Sequence, residues 1–373
     1  MKHYQLILAA ALVALAACNK GKVDNLNTAS DNEIGFNAVA SMNTKAIISG
    51  TTYGTENSFK VWGWQSQKGD FSEFATAAAS NFMSNLTISH TKGADEEHHD
   101  FAWRNADHYY YWPFTGKISF LAIHPSSVAP TSATWDATNK KPQAAFNDYT
   151  ITPSSNETVG NETVDLMVAT NEGSRETVAA VGTGKMNMVF KHALSQIVVY
   201  VKTNDDYTDD VKFDVNSVQF NKIDLSGDAT YINEVVSWSD NTAQTQNWMY
   251  YSTIKENINN EAAIYGAAKV MIPQLAFADN PATAETIEGT TMTISYTMTQ
   301  HESAAITGTV VVASPWKKVK EGDNVHDPAV AISGWEPGKK YVYTLNFKLN
   351  EILFNPSVTD WVEVDMSTTT IYE

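Results

Sequence analysis

The densest run of metal-ligand side chains is Asp95-Glu96-Glu97-His98-His99-Asp100, with His108 nearby. Imidazole beside carboxylate suits zinc, nickel or copper. Adjacent histidines on a strand point to opposite faces, however, and the surroundings are polar. The run therefore reads as a solvated acidic loop, and neither a metal nor another cofactor is expected. Asp205-Asp206 and Asp209-Asp210 flank Tyr207-Thr208 and offer oxygens of the kind calcium takes. They lack the glycine and terminal glutamate of an EF-hand loop. His124, before Pro125, and His192, in an apolar setting, read as hydrogen-bonded structural histidines. No G-x-S-x-G, Walker-type loop or G-x-G-x-x-G occurs, so an enzyme is not expected.

Cys18 is the one cysteine. Lys2 and His3 open a short basic start, and Leu6 to Ala17 form an apolar segment too short to span a bilayer. The segment ends in Leu15-Ala16-Ala17-Cys18, which resembles the lipobox read by bacterial lipoprotein signal peptidase. That chemistry needs small residues before the scissile bond and a thiol after it to carry diacylglycerol. Residues 1–17 are then a signal peptide, and the mature chain begins at Cys18, exported and lipid-anchored. Each buried methylene of its acyl chains contributes ~0.8 kcal/mol to membrane attachment. A lone cysteine also excludes a disulfide framework or a Cys-based zinc site within one chain.

The elements that carry these residues follow from composition and period. Of 373 residues, 43% are hydrophobic and 18% charged, which supplies core enough for roughly two domains. Lys+Arg 25 against Asp+Glu 42 gives a net charge of -17, which excludes nucleic acid as a natural partner. Residues 18–32 are polar and aperiodic, a flexible tether. Ile34, Phe36, Ala38, Ala40 and Met42 then alternate with Gly35, Asn37, Val39 and Ser41, a period of two and hence a strand. Asn43-Thr44-Lys45-Ala46 interrupts it, and Lys45 is the only basic residue between Lys22 and Lys60. At the other end, Val362, Val364, Met366, Thr368, Thr370 and Tyr372 alternate with Glu363, Asp365, Ser367 and Thr369. The first and last strands thus look like competitors for one kind of groove, or the last simply completes its own sheet.

Between them the pattern is β throughout. Strands are expected over Ser58–Trp64, Lys117–Ile123, Val164–Thr170, Lys185–Phe190 and Gln196–Lys202. Further strands are expected over Asp214–Phe220, Ala268–Ile272, Thr290–Thr299, Ile306–Val312 and Lys340–Leu349. Phe71 to Leu86 spaces Phe71, Phe74, Ala78 and Phe82 for one helical face, or forms an irregular loop. Asn147 to Gly160 and Asn171 to Gly184 read as loops. A boundary near Gly182 divides the chain into β-sandwich domains at 33–182 and 183–373. The aromatic complement of ten Trp and sixteen Tyr fills such cores. Exposed rings could instead stack on sugars, with Trp62, Trp64, Trp103, Tyr109, Tyr110, Tyr111 and Trp112 as candidates for a surface glycan-binding lipoprotein.

Several segments, in order, resemble the fimbrillin family of Bacteroidota, lipoprotein subunits of type V pili. They are the lipobox at Cys18, Thr44-Lys45-Ala46, Phe59-Lys60-Val61-Trp62-Gly63-Trp64 and Tyr110-Tyr111-Trp112-Pro113. Ile118 to Pro125, Asp165 to Ala169, Phe190 to Ile197, Trp335 to Tyr341 and Thr359-Asp360-Trp361 continue the series. The resemblance implies an all-β chain of two tandem transthyretin-like β-sandwich domains. It implies a structural pilus subunit for surface adhesion, made as an outer-membrane lipoprotein and then built into a surface pilus. A surface Arg/Lys-type protease would cut after Lys45, before Ala46; family members more often carry Arg there. The strand with Ile34, Phe36, Ala38, Ala40 and Met42 would then depart. A donor strand from another pilin subunit, in this chain Val362 to Tyr372, would replace it. Partners are thus other pilin subunits, the two processing enzymes and an unidentified host or bacterial surface ligand. A tip pilin of the same pilus is the nearest alternative role.

Overall fold

In the computed structural model the described residues are 32–40, 53–54, 56–90, 103–152, 165–180, 185–203, 207, 211–239, 246–275, 290–301, 303–313, 334–349 and 352–360. In chain order the first strands are β1 (Gly35–Ala40), β2 (Ser58–Ser66), β3 (Met83–His90) and β4 (Trp103–Arg104). Then come β5 (Lys117–His124), β6 (Ser132–Asp136), β7 (Lys141–Thr150) and β8 (Met167–Gly173). Helix α1 (Arg175–Ala180) precedes β9 (Lys185–His192), β10 (Ser195–Thr203), β11 (Val211–Ile223) and β12 (Ser226–Ile232). β13 (Val235–Trp238), β14 (Gln246–Tyr251), β15 (Lys255–Ile258), β16 (Ala263–Ile264), β17 (Lys269–Met271) and β18 (Gln274–Leu275) follow. The last are β19 (Thr291–Gln300), β20 (Ile306–Ala313), β21 (Gly334–Trp335), β22 (Lys339–Phe347) and β23 (Ile352–Asp360). All ten expected strands are present, with ends shifted by a few residues.

The chain is all-β, as expected. The sheet of the first part closes on itself in the order β1-β4-β3-β2-β5-β8-β9, a barrel with no free edge. Its interior holds Phe36, Phe59, Val61, Ile88, Ile118, Phe120, Met188 and Phe190. In the second part, the sheet β16-β10-β22-β23 faces the sheet β14-β11-β19-β20. Phe213 meets Phe347, and Phe220 meets Tyr343, across that sandwich. A four-stranded sheet, β13-β12-β7-β6, lies on the outer side of the barrel.

Local pattern explains which strands are wrapped on both sides. β5 reads KISFLAIH and is buried at every position but the first. Ile118, Phe120 and Ala122 fill the barrel, while Leu121 and Ile123 join the core that includes Trp135, Phe146 and Tyr231. A continuous apolar run marks such a strand. β9 instead alternates buried and exposed positions, one face inside the barrel and one in water.

The pairing runs across residue 182. β9, beyond that position, completes the barrel by pairing with β8 and β1. β12, further on, pairs antiparallel with β7, Ala229 opposite Phe146 and Tyr231 opposite Ala144.

Phe71–Leu86 is not a helix. Residues 71–82 form an irregular loop, and β3 begins at Met83. Phe71 has φ 56, outside the right-handed helical region, and its N–H donates to Ser66 Oγ at 3.1 Å. Tertiary partners hold the loop open. Phe71 stacks on Trp135 at 4.9 Å, and the Ala78 carbonyl accepts from Trp64 Nε1 and from the Trp135 N–H. The stretches read as loops carry structure at their edges: β7 runs to Thr150, β8 to Gly173, and α1 lies within the second. Ser174 caps α1, and the Ser174 N–H donates to Thr177 Oγ1 at 2.8 Å.

Candidate functional site: the groove that holds the first strand

β1 is the least local element of the barrel. It pairs parallel with β9 from Gly35↔Lys185 to Ala40↔Phe190, with partners 150 positions away in sequence, as the Asn37–Asn187 contact illustrates. On its other side it meets β4 only at Phe36↔Trp103. Alternation puts Ile34, Phe36 and Ala38 inside, at 3%, 1% and 5% exposure, and turns Asn37 to solvent. Phe36 is the anchor. Its ring sits edge-on to Phe59 at 5.9 Å and to Phe120 at 5.5 Å.

The start of the strand is clasped by residues 110–112. The Ile34 N–H donates to the Tyr110 carbonyl at 2.6 Å, the Trp112 N–H donates to the Asn32 carbonyl at 2.7 Å, and Glu33 bridges Tyr111. Glu33 itself is buried. The groove therefore has two walls of opposite sense, antiparallel at 110–112 and parallel along β9. The sequence marks Tyr110-Tyr111-Trp112 as a segment of the family resemblance and as candidate sugar-contacting rings, but not as the backbone clasp of the first strand. No local signal marks a backbone partner, because every residue carries the same N–H and C=O.

A buried polar cluster closes one end of the barrel. The register His124↔Met167↔His192 sets the two histidines on β5 and β9, either side of Met167 on β8. His124 Nδ1 lies 2.5 Å from the Tyr53 hydroxyl and 3.2 Å from the Ser58 carbonyl. Burial pushes His124 down to about 4 and raises the Tyr53 phenol, so both stay neutral near pH 7. His192 Nδ1 is 2.7 Å from Asp165 Oδ2, and both side chains are buried. The two histidines are hydrogen-bonded parts of the core, as their apolar contexts suggested. Tyr53 stands among Gly and Thr with no period to mark it, yet its ring contacts Phe59, Trp103, His124 and Phe190.

Of the other candidates, Trp62, Trp64, Trp103 and Trp112 are buried and have no face for a sugar. Tyr109 and Tyr111 are exposed at 39% and 40%, Tyr110 is half-buried, and Arg104 lies over the Tyr109 ring at 4.8 Å. His108 is exposed, and no group of metal-type ligands assembles among the described residues. Cys18, Met42, Lys45, Ala46, the run Asp95 to Asp100, the Asp205 and Asp209 pairs and Val362 to Tyr372 lie outside the described residues. No described helix is long and apolar enough to cross a membrane.

With the barrel and its first strand in view, comparison with known proteins decides the family. The model of the fimbrillin-like family matches residues 44–361. The chain belongs to that family. A solved fimbrial protein from Bacteroides vulgatus shares the fold, at 17% identity and TM-score 0.54, over 89% of this chain and 100% of its own. A Bacteroides uniformis protein ascribed to cell adhesion is 17% identical with TM-score 0.48, covering 89% of this chain and 99% of its own. The tip fimbrial protein Mfa3 of Porphyromonas gingivalis is 10% identical with TM-score 0.35, over 88% and 99%. No curated protein matches. The fimbrillin-like chain is a pilus subunit, a structural component displayed at the surface with other pilin subunits as partners.

Proposed function

We propose that this fimbrillin-like subunit is exported as a lipoprotein on Cys18, cut after Lys45, and polymerised by exchange of its first strand. One observation carries the reading. β1 is seated by side chains that fill the barrel, Phe36 above all, and by pairing to a strand far away in sequence. Such a strand is a ligand in all but its covalent tether. While it is tethered, its effective concentration excludes a competitor; once cut, it competes as a separate peptide. A barrel stripped of it exposes two strand edges and an apolar trough, which another extended segment satisfies by backbone pairing and alternate side chains. Head-to-tail exchange does not close and so gives filaments.

Limited trypsin treatment of the lipid-free mature chain should cut first at Lys45 and yield SDS-resistant ladders. Lys45→Ala should stay monomeric, and deletion of 362–373 should leave a folded chain that cannot donate. If wild type and Lys45→Ala behave alike, the exchange reading fails. Mass spectrometry of membrane-extracted protein should find a diacylglycerol-modified Cys18 at the N-terminus; an unprocessed Met1 in the native host contradicts lipidation.

A contact surface for a glycan is favoured by the exposed rings of Tyr109 and Tyr111 with Arg104 beside them. Binding to a glycan array that is lost in a Tyr109→Ala, Tyr111→Ala double variant supports a sugar-contacting role; an array without signal rejects it.

A further inference from the structure

Phe114 is 88% exposed, the highest value for any large apolar side chain among the described residues. The chain is fixed on both sides of it. Trp112 is buried edge-on against Phe120 at 5.9 Å. Gly116 takes φ +89 and lies so close to the Ser66 carbonyl oxygen that a Cβ would meet it at 2.0 Å. Only Pro113, Phe114 and Thr115 lie between these two points, with Phe114 at the tip. The residues leading into the tip alternate. Tyr110 turns in to Phe82 at 5.9 Å, whereas Tyr109 and Tyr111 are exposed. From Tyr109 to Gly116 no side chain is charged, in a chain whose net charge is -17. Uncharged exposed rings suit the interface of a bilayer, where aromatic side chains rest at headgroup level.

The same loop receives the start of the described chain. The Trp112 N–H donates to the Asn32 carbonyl at 2.7 Å, so Asn32 lies at the base of the tip. Cys18 is joined to Asn32 by a stretch that reaches at most about 50 Å, and a coil of that length spans about 20 Å on average. We infer that, in the lipid-anchored subunit, this tip docks on the bilayer that holds Cys18. Phe114 enters the lipid, and Tyr109 and Tyr111 rest among the headgroups. The inference rests on the lipoprotein reading and adds the face that the subunit turns to the membrane. Ile306 and Val235 are the next most exposed apolar side chains, at 60% and 59%, and lie on β20 and β13, in sheets other than that of β1. Neither is placed where the anchor enters. One ring binds a bilayer weakly, so the contact depends on the tether, which keeps the local concentration of lipid high. Cutting after Lys45 ends that advantage once the first strand departs, and the subunit is then free of the surface.

The tether can be supplied without the native lipid. A full-length mature chain with Cys18→Ser and an added N-terminal His-tag attaches to phosphatidylcholine vesicles that contain a nickel-chelating lipid. An environment-sensitive fluorophore on Thr115→Cys, exposed beside Phe114, reports the tip. The same fluorophore on Ser303→Cys, exposed between β19 and β20, reports a remote surface. Attachment should shift the emission of the Thr115 label to the blue and leave the Ser303 label unchanged. Phe114→Ser removes little packing and should lower the ratio of docked to free tip about tenfold. No shift at Thr115, an equal shift at both sites, or an undiminished shift in Phe114→Ser overturns the docking. A shift with free glycan and none with vesicles assigns the tip to sugar and overturns it as well. Mass spectrometry of the native protein separates the two failures. If Cys18 carries no diacylglycerol, the lipoprotein reading fails and the docking with it; if Cys18 is lipidated and the label does not shift, the docking alone fails.

Discussion

Truncating the anchor of β1, Phe36→Ala, measures how firmly the first strand is held. The ring is 1% exposed and wedged edge-on between Phe59 and Phe120. Removing a buried phenylalanine ring costs about 3–5 kcal/mol in lost transfer energy and unfilled volume. At about 1.4 kcal/mol per tenfold, a strand held only by non-covalent contacts would bind roughly 150- to 4,000-fold more weakly. Asn37→Ala, on the solvent face of the same strand, should stay within about 0.5 kcal/mol. Two assays read the difference. Denaturant unfolding of the uncut chain gives the stability loss, and release of the labelled 18–45 peptide after cutting gives the dissociation rate. Faster release should also speed assembly, since a departing strand vacates the groove sooner. A loss under about 1 kcal/mol for Phe36→Ala, or equal effects from Phe36→Ala and Asn37→Ala, refutes the anchoring argument.

Acid should weaken the barrel through His124. Its folded-state value, pushed down to about 4 from 6.5 by burial, means that the unfolded chain takes up the proton first as pH falls. Its contribution is therefore fully present above pH 6.5 and lost progressively down to pH 4, by up to about 3 kcal/mol. Thermal melts across that range should show the slope, and His124→Gln should flatten it. Gly116 is expected to tolerate no side chain: at φ +89, an added Cβ would meet the Ser66 carbonyl oxygen at 2.0 Å. Gly69, at φ +79 with its nearest contact 3.7 Å away, bears only the backbone strain of about 1–2 kcal/mol on change to Ala. Chemical denaturation should rank Gly116→Ala well below Gly69→Ala.

The sequence by itself determined the class of the protein and most of its strands. Period-two alternation in β9 and the unbroken apolar run of β5 are local facts, since side chains alternate with the pleat whatever the strand pairs with. The same alternation singled out Ile34, Phe36 and Ala38 as one face of a strand, and the barrel buries that face. Local context likewise identified His124 and His192 as structural, because a polar ring in an apolar run needs a partner. Their partners, Tyr53 and Asp165, came only with the fold. The loop at residues 71–82 shows the limit from the other side. Its aromatic spacing fits a helical face, but Trp135 and Trp64, brought from other elements, take its rings and carbonyl and hold Phe71 at positive φ. Only tertiary structure decided that β1 pairs with β9, that residues 110–112 clasp its start, and that β12 lies on β7. Strand partners are chosen through backbone groups that are alike at every residue, and through cores assembled from distant segments. A chain's pattern can say which face of a strand is buried; which neighbour buries it is settled when the sheet closes.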